Sequence, residues 1–116
     1  MISVEYSYEK RPKNNIIKMT IKGHAGAAPK GKDIVCAAAS AYALQLATNV
    51  KTACDANKDI KRLRCSVELV DGTGEIVVSC PNNIFADYLF DMYSQNMTGY
   101  VILNRMYPDM VSLKTF

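Results

Sequence analysis

Ile2, Val4, Tyr6 and Tyr8 alternate with polar residues, a period of two that predicts a half-buried strand. Lys10 to Asn15, with Pro12 and Asn14-Asn15, predicts a turn, after which Ile17, Met19 and Ile21 alternate against Lys18, Thr20 and Lys22 as a second strand ending at Gly23-His24. Three glycines and Pro29 between Gly23 and Lys32 exclude regular structure there. Asp33 is a good N-cap, because its carboxylate can accept from the unpaired amides of the next turn. Behind it Val35, Ala39, Tyr42, Leu46, Val50 and Ala53 step by three or four, the apolar face of a helix rich in alanine.

The same alternation then repeats. Cys65, Val67 and Leu69 lead into Asp71-Gly72-Thr73-Gly74, a hairpin signal, and Ile76, Val78 and Cys80 return. Pro81 and Asn82-Asn83 break the strand and start a second helix. Its expected buried stripe is Phe85, Tyr88, Leu89 and Met92, continuing through Gly99, Leu103 and Met106. Gly99 costs that helix about 1 kcal/mol relative to alanine and leaves a kink or two shorter helices open. Tyr107-Pro108-Asp109 ends the helix, and Val111, Leu113 and Thr115 predict a last strand. The order ββαββαβ, with adjacent hairpins, no repeat and no linker, predicts an α+β two-layer sandwich. Its sheet is mostly antiparallel, and both helices lie on one face. Residues 1–116 read as a single domain, since that length matches one typical domain and suffices to bury a core.

Composition narrows the class. With 49% hydrophobic residues the chain is neither disordered nor low in complexity. No apolar run approaches the ~18 residues of a membrane span, and the segment Met1 to Lys10, with Glu5 and Glu9, is unlike a signal peptide. The expectation is a cytoplasmic protein. The net charge of +3 hides an asymmetry: residues 1–64 carry 12 Lys/Arg against 5 Asp/Glu, and residues 65–116 carry 2 against 6. A basic first half can steer an acidic or nucleic-acid partner. No aromatics interleave with the short basic clusters as they do in single-strand binders, however. Cys36, Cys54, Cys65 and Cys80 contain no Cys-x-x-Cys pair and His24 is the only histidine, so structural zinc lacks its usual ligand spacing. No metal or other cofactor is expected, and four reduced thiols are. Cys54, Cys65 and Cys80 read as small buried hydrophobes.

Cys36 has different neighbours. A histidine at a strand end, a glycine-rich loop and a cysteine in the first turn of a helix form one constellation. Unpaired amides and the positive helix end there favour a thiolate and could hold an oxyanion. His24 can act as base if the loop folds back. Ser40, four residues past Cys36, shares its helix face and could donate a hydrogen bond into the site. The alternative is an Ala-rich core helix with a buried cysteine, a satisfied His24 and Asp33 as a cap only.

At these residues the chain resembles the ribosomal-processing cysteine protease family of bacteria, Prp. The matching stretches are Gly23-His24-Ala25 and the unbroken string Gly31-Lys32-Asp33-Ile34-Val35-Cys36-Ala37-Ala38-Ala39-Ser40; length, element order and Tyr107-Pro108 also fit. The resemblance implies a cytoplasmic, homodimeric cysteine endopeptidase that removes the N-terminal extension of a large-subunit ribosomal protein. Cys36 would then be the nucleophile and His24 the base, with Asp33 and Ser40 auxiliary. The loop carrying Gly26, Pro29 and Gly31 would cover the peptide substrate, and nucleic acid would be met only through the ribosome. Two other classes remain open at this point: a non-enzymatic ribosome- or RNA-associated binding module, and a thiol redox or acyl-transfer protein.

Overall fold

The computed structural model describes residues 1–23, 33–81 and 84–115. The elements are β1 (Ile2–Lys10), β2 (Asn14–Lys22), α1 (Asp33–Asp55), β3 (Arg64–Val70), β4 (Thr73–Pro81), α2 (Ile84–Met106) and β5 (Val111–Thr115), the expected ββαββαβ order. They form a five-stranded sheet ordered β3-β4-β2-β1-β5. All pairs are antiparallel except β1 with β5. The two hairpins expected from sequence are joined through β2 and β4, with Ile17 opposite Val78 and Met19 opposite Ile76.

Alternation decides which face of each strand meets the helices. Ile2 and Val4 of β1, Ile17, Met19 and Ile21 of β2, and Ile76, Val78 and Cys80 of β4 are buried with Val35, Leu46 and Val50 of α1 and Leu89, Tyr93 and Tyr100 of α2. Each large apolar side chain buried in this layer stabilises the fold by about 1.5–3 kcal/mol relative to exposure. Among the described residues no helix is long and apolar enough to cross a membrane.

The buried stripe of α2 differs from the sequence expectation. It consists of Ala86, Leu89, Tyr93, Asn96, Met97, Tyr100 and Leu103. Tyr88 and Met106 are exposed, and Phe85 and Met92 are only half-buried. The polar atoms of the stripe conceal it in a hydrophobicity pattern, and its donor groups find partners inside. Tyr93 Oη donates to the Ile76 carbonyl at 2.9 Å and Tyr100 Oη to the Ala39 carbonyl at 3.1 Å, while Asn96 Nδ2 donates to the Tyr42 carbonyl at 2.8 Å. These three bonds tie α2 to both β4 and α1. Gly99 does not split the helix: the Tyr42 ring fills the space a side chain would need, 2.9 Å from the Cβ position.

Cys65 also departs from expectation, being exposed while Cys54 and Cys80 are buried. It keeps the face its alternation predicts, since it pairs with Val78 and shares that residue's helix-facing side. Because β3 is the sheet's edge strand, solvent reaches that side from beyond the sheet.

Burial holds the Tyr93 and Tyr100 hydroxyls protonated well above the ordinary tyrosine range. A raised pKa in the fold means that the unfolded chain releases these protons first as pH rises. The associated stability is therefore complete below about pH 10 and is lost above it. We expect urea midpoints to be flat from pH 7 to 9 and to fall above pH 10. Tyr93→Phe should cost about 1–2 kcal/mol at pH 7, because it removes the buried hydrogen bond to the Ile76 carbonyl. It should also shallow the alkaline fall, and an unchanged alkaline slope would refute the role given to Tyr93.

Candidate active site

Strand direction brings four separate segments to one end of the sheet: the start of β1, the end of β2, the start of α1 and the β3–β4 turn. The amide of Ile2 donates to the Met110 carbonyl at 2.7 Å, which fixes the chain start beside the entry to β5. Gly23, at φ +83°, closes β2 against the Met1 carbonyl, which occupies the place where a side chain would stand. Only glycine accepts both that conformation and that approach.

Helix α1 opens at Asp33, so Cys36 lies in its first turn, where backbone N–H groups have no partner within the helix. Cys36 is half-buried. Together with Ala39 and Ser40 it lines a small cavity whose remaining walls are Ile2, Ile21, Gly23, Asp71, Gly72 and Thr73. The cavity measures about 30 Å³, the space of a single water-sized group. A shallower groove of about 300 Å³ shares Ile21, Gly23 and Thr73 with it and continues along Thr20, Lys22, Gly74 and Glu75.

The β3–β4 turn forms the outer wall. Asp71 and Gly72 both have positive φ, 53° and 78°, the geometry of a two-residue hairpin turn whose twist matches its strands. Gly72 is pressed against α1 so closely that a Cβ there would stand 2.7 Å from Ser40 Cβ and 2.8 Å from Ser40 Cα. Ser40 thus has a packing duty as well as a place in the cavity: it is the surface on which the hairpin rests.

Of the residues singled out from sequence, Cys36 and Ser40 are brought to one cavity. The Asp33 side chain lies outside what the structure describes, as do His24, Gly26, Pro29 and Gly31. Gly23, immediately before His24, lines the same cavity as Cys36. The site residues that the sequence reading missed are Asp71, Gly72 and Thr73. Their Asp-Gly signal was legible as a turn, but its proximity to Cys36 depends on strand order, which local pattern does not encode.

Fold and site define a small α+β protein with a cysteine set at a helix start beside a small pocket. The chain belongs to the cysteine protease Prp family, whose model matches residues 1–114. It is similar in structure to SMU.848 from Streptococcus mutans, at 23% identity and TM-score 0.59, over 100% of this chain and 94% of that one. It is also similar to the essential ribosomal processing protease Prp from S. aureus with a covalently linked product peptide, at 20% identity and TM-score 0.60, over the whole of both chains. The same S. aureus protein with a substrate peptide gives 20% identity and TM-score 0.57, again over both chains. These likenesses establish the shared fold. No curated protein matches the chain significantly.

The Gly72–Ser40 contact predicts a specific coupling. Gly72→Ala should destabilise the protein by about 2–3 kcal/mol, through both φ and overlap. Ser40→Gly in the same chain should recover part of that loss, a coupling of roughly 0.5–3 kcal/mol in a double-mutant cycle read from urea midpoints. Simple additivity would show that the two residues do not press on one another.

Proposed function

We propose that this chain is a cysteine endopeptidase that removes the N-terminal extension of a large-subunit ribosomal protein, with Cys36 as nucleophile and His24 as base. The observation that carries the reading is the Cys36 thiol in the first turn of α1, lining a cavity together with Ser40, Gly23 and the 71–73 turn. In the S. aureus relative a product peptide is covalently linked, which supports a covalent step at the corresponding chemistry here.

In this mechanism His24 takes the Cys36 proton and the Sγ attacks the scissile carbonyl carbon. The amides at the start of α1 face the developing oxyanion. The tetrahedral adduct collapses as the C–N bond breaks, His24 hands the proton to the leaving amine, and a thioester remains on Cys36. Water, deprotonated by His24, then hydrolyses it and restores the thiol. The groove along Thr20, Lys22, Gly74 and Glu75 offers an extended peptide a path away from the cavity. Asp33 and Ser40 are assigned auxiliary roles, with Ser40 also supporting the 71–72 turn. The loop with Gly26, Pro29 and Gly31 covers the peptide. Residues 1–116 act as one catalytic domain, as a homodimer in the cytoplasm, without cofactor or metal.

Incubation with a peptide spanning the extension of the precursor should give one cut by mass spectrometry. Cys36→Ala should abolish it, and His24→Ala should slow it by about 10³-fold or more. Cleavage at an unchanged rate by either variant would sink the assignment.

A second reading, an RNA-associated binding module, is favoured by one observation. The β1–β2 turn with Lys10, Arg11 and Lys13 and the approach to β3 with Lys61, Arg62 and Arg64 lie at the same end of the sheet, opposite Cys36. All six side chains belong to exposed residues. RNA binding with a steep salt dependence, retained in full by Cys36→Ala and without peptide cleavage, would select that reading.

A further inference from the structure

The face of the sheet turned away from the helices carries its charges unevenly. Strand register sets Arg64, Ser79, Ile16 and Glu9 side by side in one row across it, near the end remote from Cys36. Beside that row lies a pocket of about 370 Å³ lined by Arg11, Pro12, Lys13, Asn14, Ile16 and Ser79. Pro12 and Ile16 give it an apolar wall. Asn14 Nδ2 donates to Ser79 Oγ at 3.0 Å, which leaves the Ser79 hydroxyl proton for another acceptor. Arg11 spans the Glu9 carboxylate at 3.1 and 3.3 Å, while Lys13 and Arg64 have no carboxylate in ion-pair reach among the described residues. On this half of the open face Arg11, Lys13, Lys18 and Arg64 stand against Glu9. On the half nearer the cysteine cavity Glu5, Glu68 and Glu75 stand against Lys22 and Lys114. A polyanion is therefore drawn to one end of the sheet and not to the other.

We propose that this pocket and its rim of cations are a docking site for the RNA of the ribosomal particle. Lys13, Arg64 and the Ser79 hydroxyl hold the phosphates, and a ribose lies against Pro12 and Ile16. The site rests on the reading of the substrate as a ribosomal protein, and it works alongside the cysteine chemistry rather than in its place. An apolar wall beside cations and a hydroxyl donor matches a sugar–phosphate chain. None of the exposed large apolar side chains among the described residues lines the pocket, so a lipid surface would find nothing there to take up. No aromatic ring lines it either, so contact is with phosphates and sugars and reads no base sequence. Ile16 is seven residues from Gly23 in the cavity wall, about 23 Å at 3.3 Å per residue, and Cys36 lies on the helix side of the sheet. Docked RNA thus leaves the cavity open, and holding the particle at one end raises the local concentration of the precursor's extension at the other.

Binding of a fluorescein-labelled RNA hairpin to the full-length protein should be followed by anisotropy between about 50 and 200 mM salt. Affinity should fall steeply with salt, and Lys13→Ala and Arg64→Ala should each reduce the slope of log K against log salt by about one. Lys13→Glu and Arg64→Glu should weaken binding about tenfold or more, whereas Lys51→Glu, the same change of charge on the exposed face of α1, should have little effect. Cleavage of the free extension peptide should be unchanged in all these variants. The precursor assembled in its large-subunit particle should be cut about tenfold more slowly by Lys13→Glu and Arg64→Glu. Absence of RNA binding, equal weakening by Lys51→Glu, preference for phosphatidylglycerol vesicles over RNA, or unchanged cleavage in the particle would each overturn the site. RNA binding with the expected variant pattern but no peptide cleavage would leave the docking site standing and sink the protease reading instead.

Discussion

The close approach of the Asp71–Gly72 turn to the second turn of α1 is the constraint on which the site depends. Two positive-φ residues bend the hairpin over the helix, and the absence of a side chain at Gly72 lets backbone meet Ser40 directly. Widening that contact by one methyl would lift the turn from Cys36 and open the cavity to water. At the neighbouring wall Gly23 performs the same service against Met1, so both flanks of the thiol are set by glycines in conformations that other residues resist. The cavity is therefore a by-product of backbone packing, and its shape is only as variable as those two contacts allow.

Helix α1 extends this logic along the molecule. Its 23 residues reach about 34 Å, close to the length of the nine-residue strands beneath it, so its two ends stand over opposite ends of the sheet. One end sets Cys36, half-buried, in a small cavity at the helix start. The other buries Cys54 in the core cluster. The same residue type meets two settings because one position opens on a cavity and the other lies among apolar side chains. The hydrogen bonds from Tyr93, Asn96 and Tyr100 lock α2 against β4 and α1, which holds the ends of α1 in register with the strands.

How far this was legible from the chain depended on whether the signal was local. Strand and helix order, the 71–72 hairpin, and the shared helix face of Cys36 and Ser40 all follow from periods of two and 3.6 and from turn residues. Three features did not. Cys65 was read as buried because alternation reports which face a residue takes, while its exposure depends on β3 being an edge strand. The stripe of α2 runs away from Tyr88 and Met106, because Tyr93, Asn96 and Tyr100 hide donor groups in buried hydrogen bonds that a hydrophobicity pattern counts against them. The wall built by Asp71, Gly72 and Thr73 depends on β4 pairing with β2, a contact between residues more than 50 positions apart in sequence.

The central claim is that Cys36, and no other thiol, carries the reaction. The most direct measurement is labelling with a chloromethyl ketone built on the peptide sequence before the cut, followed by peptide mapping and a residual-activity assay. The account predicts one adduct per chain, on Cys36, with activity falling in proportion to its occupancy while Cys54, Cys65 and Cys80 remain unlabelled. Full occupancy of Cys36 with cleavage intact, or inactivation that tracks label on Cys65, would contradict it.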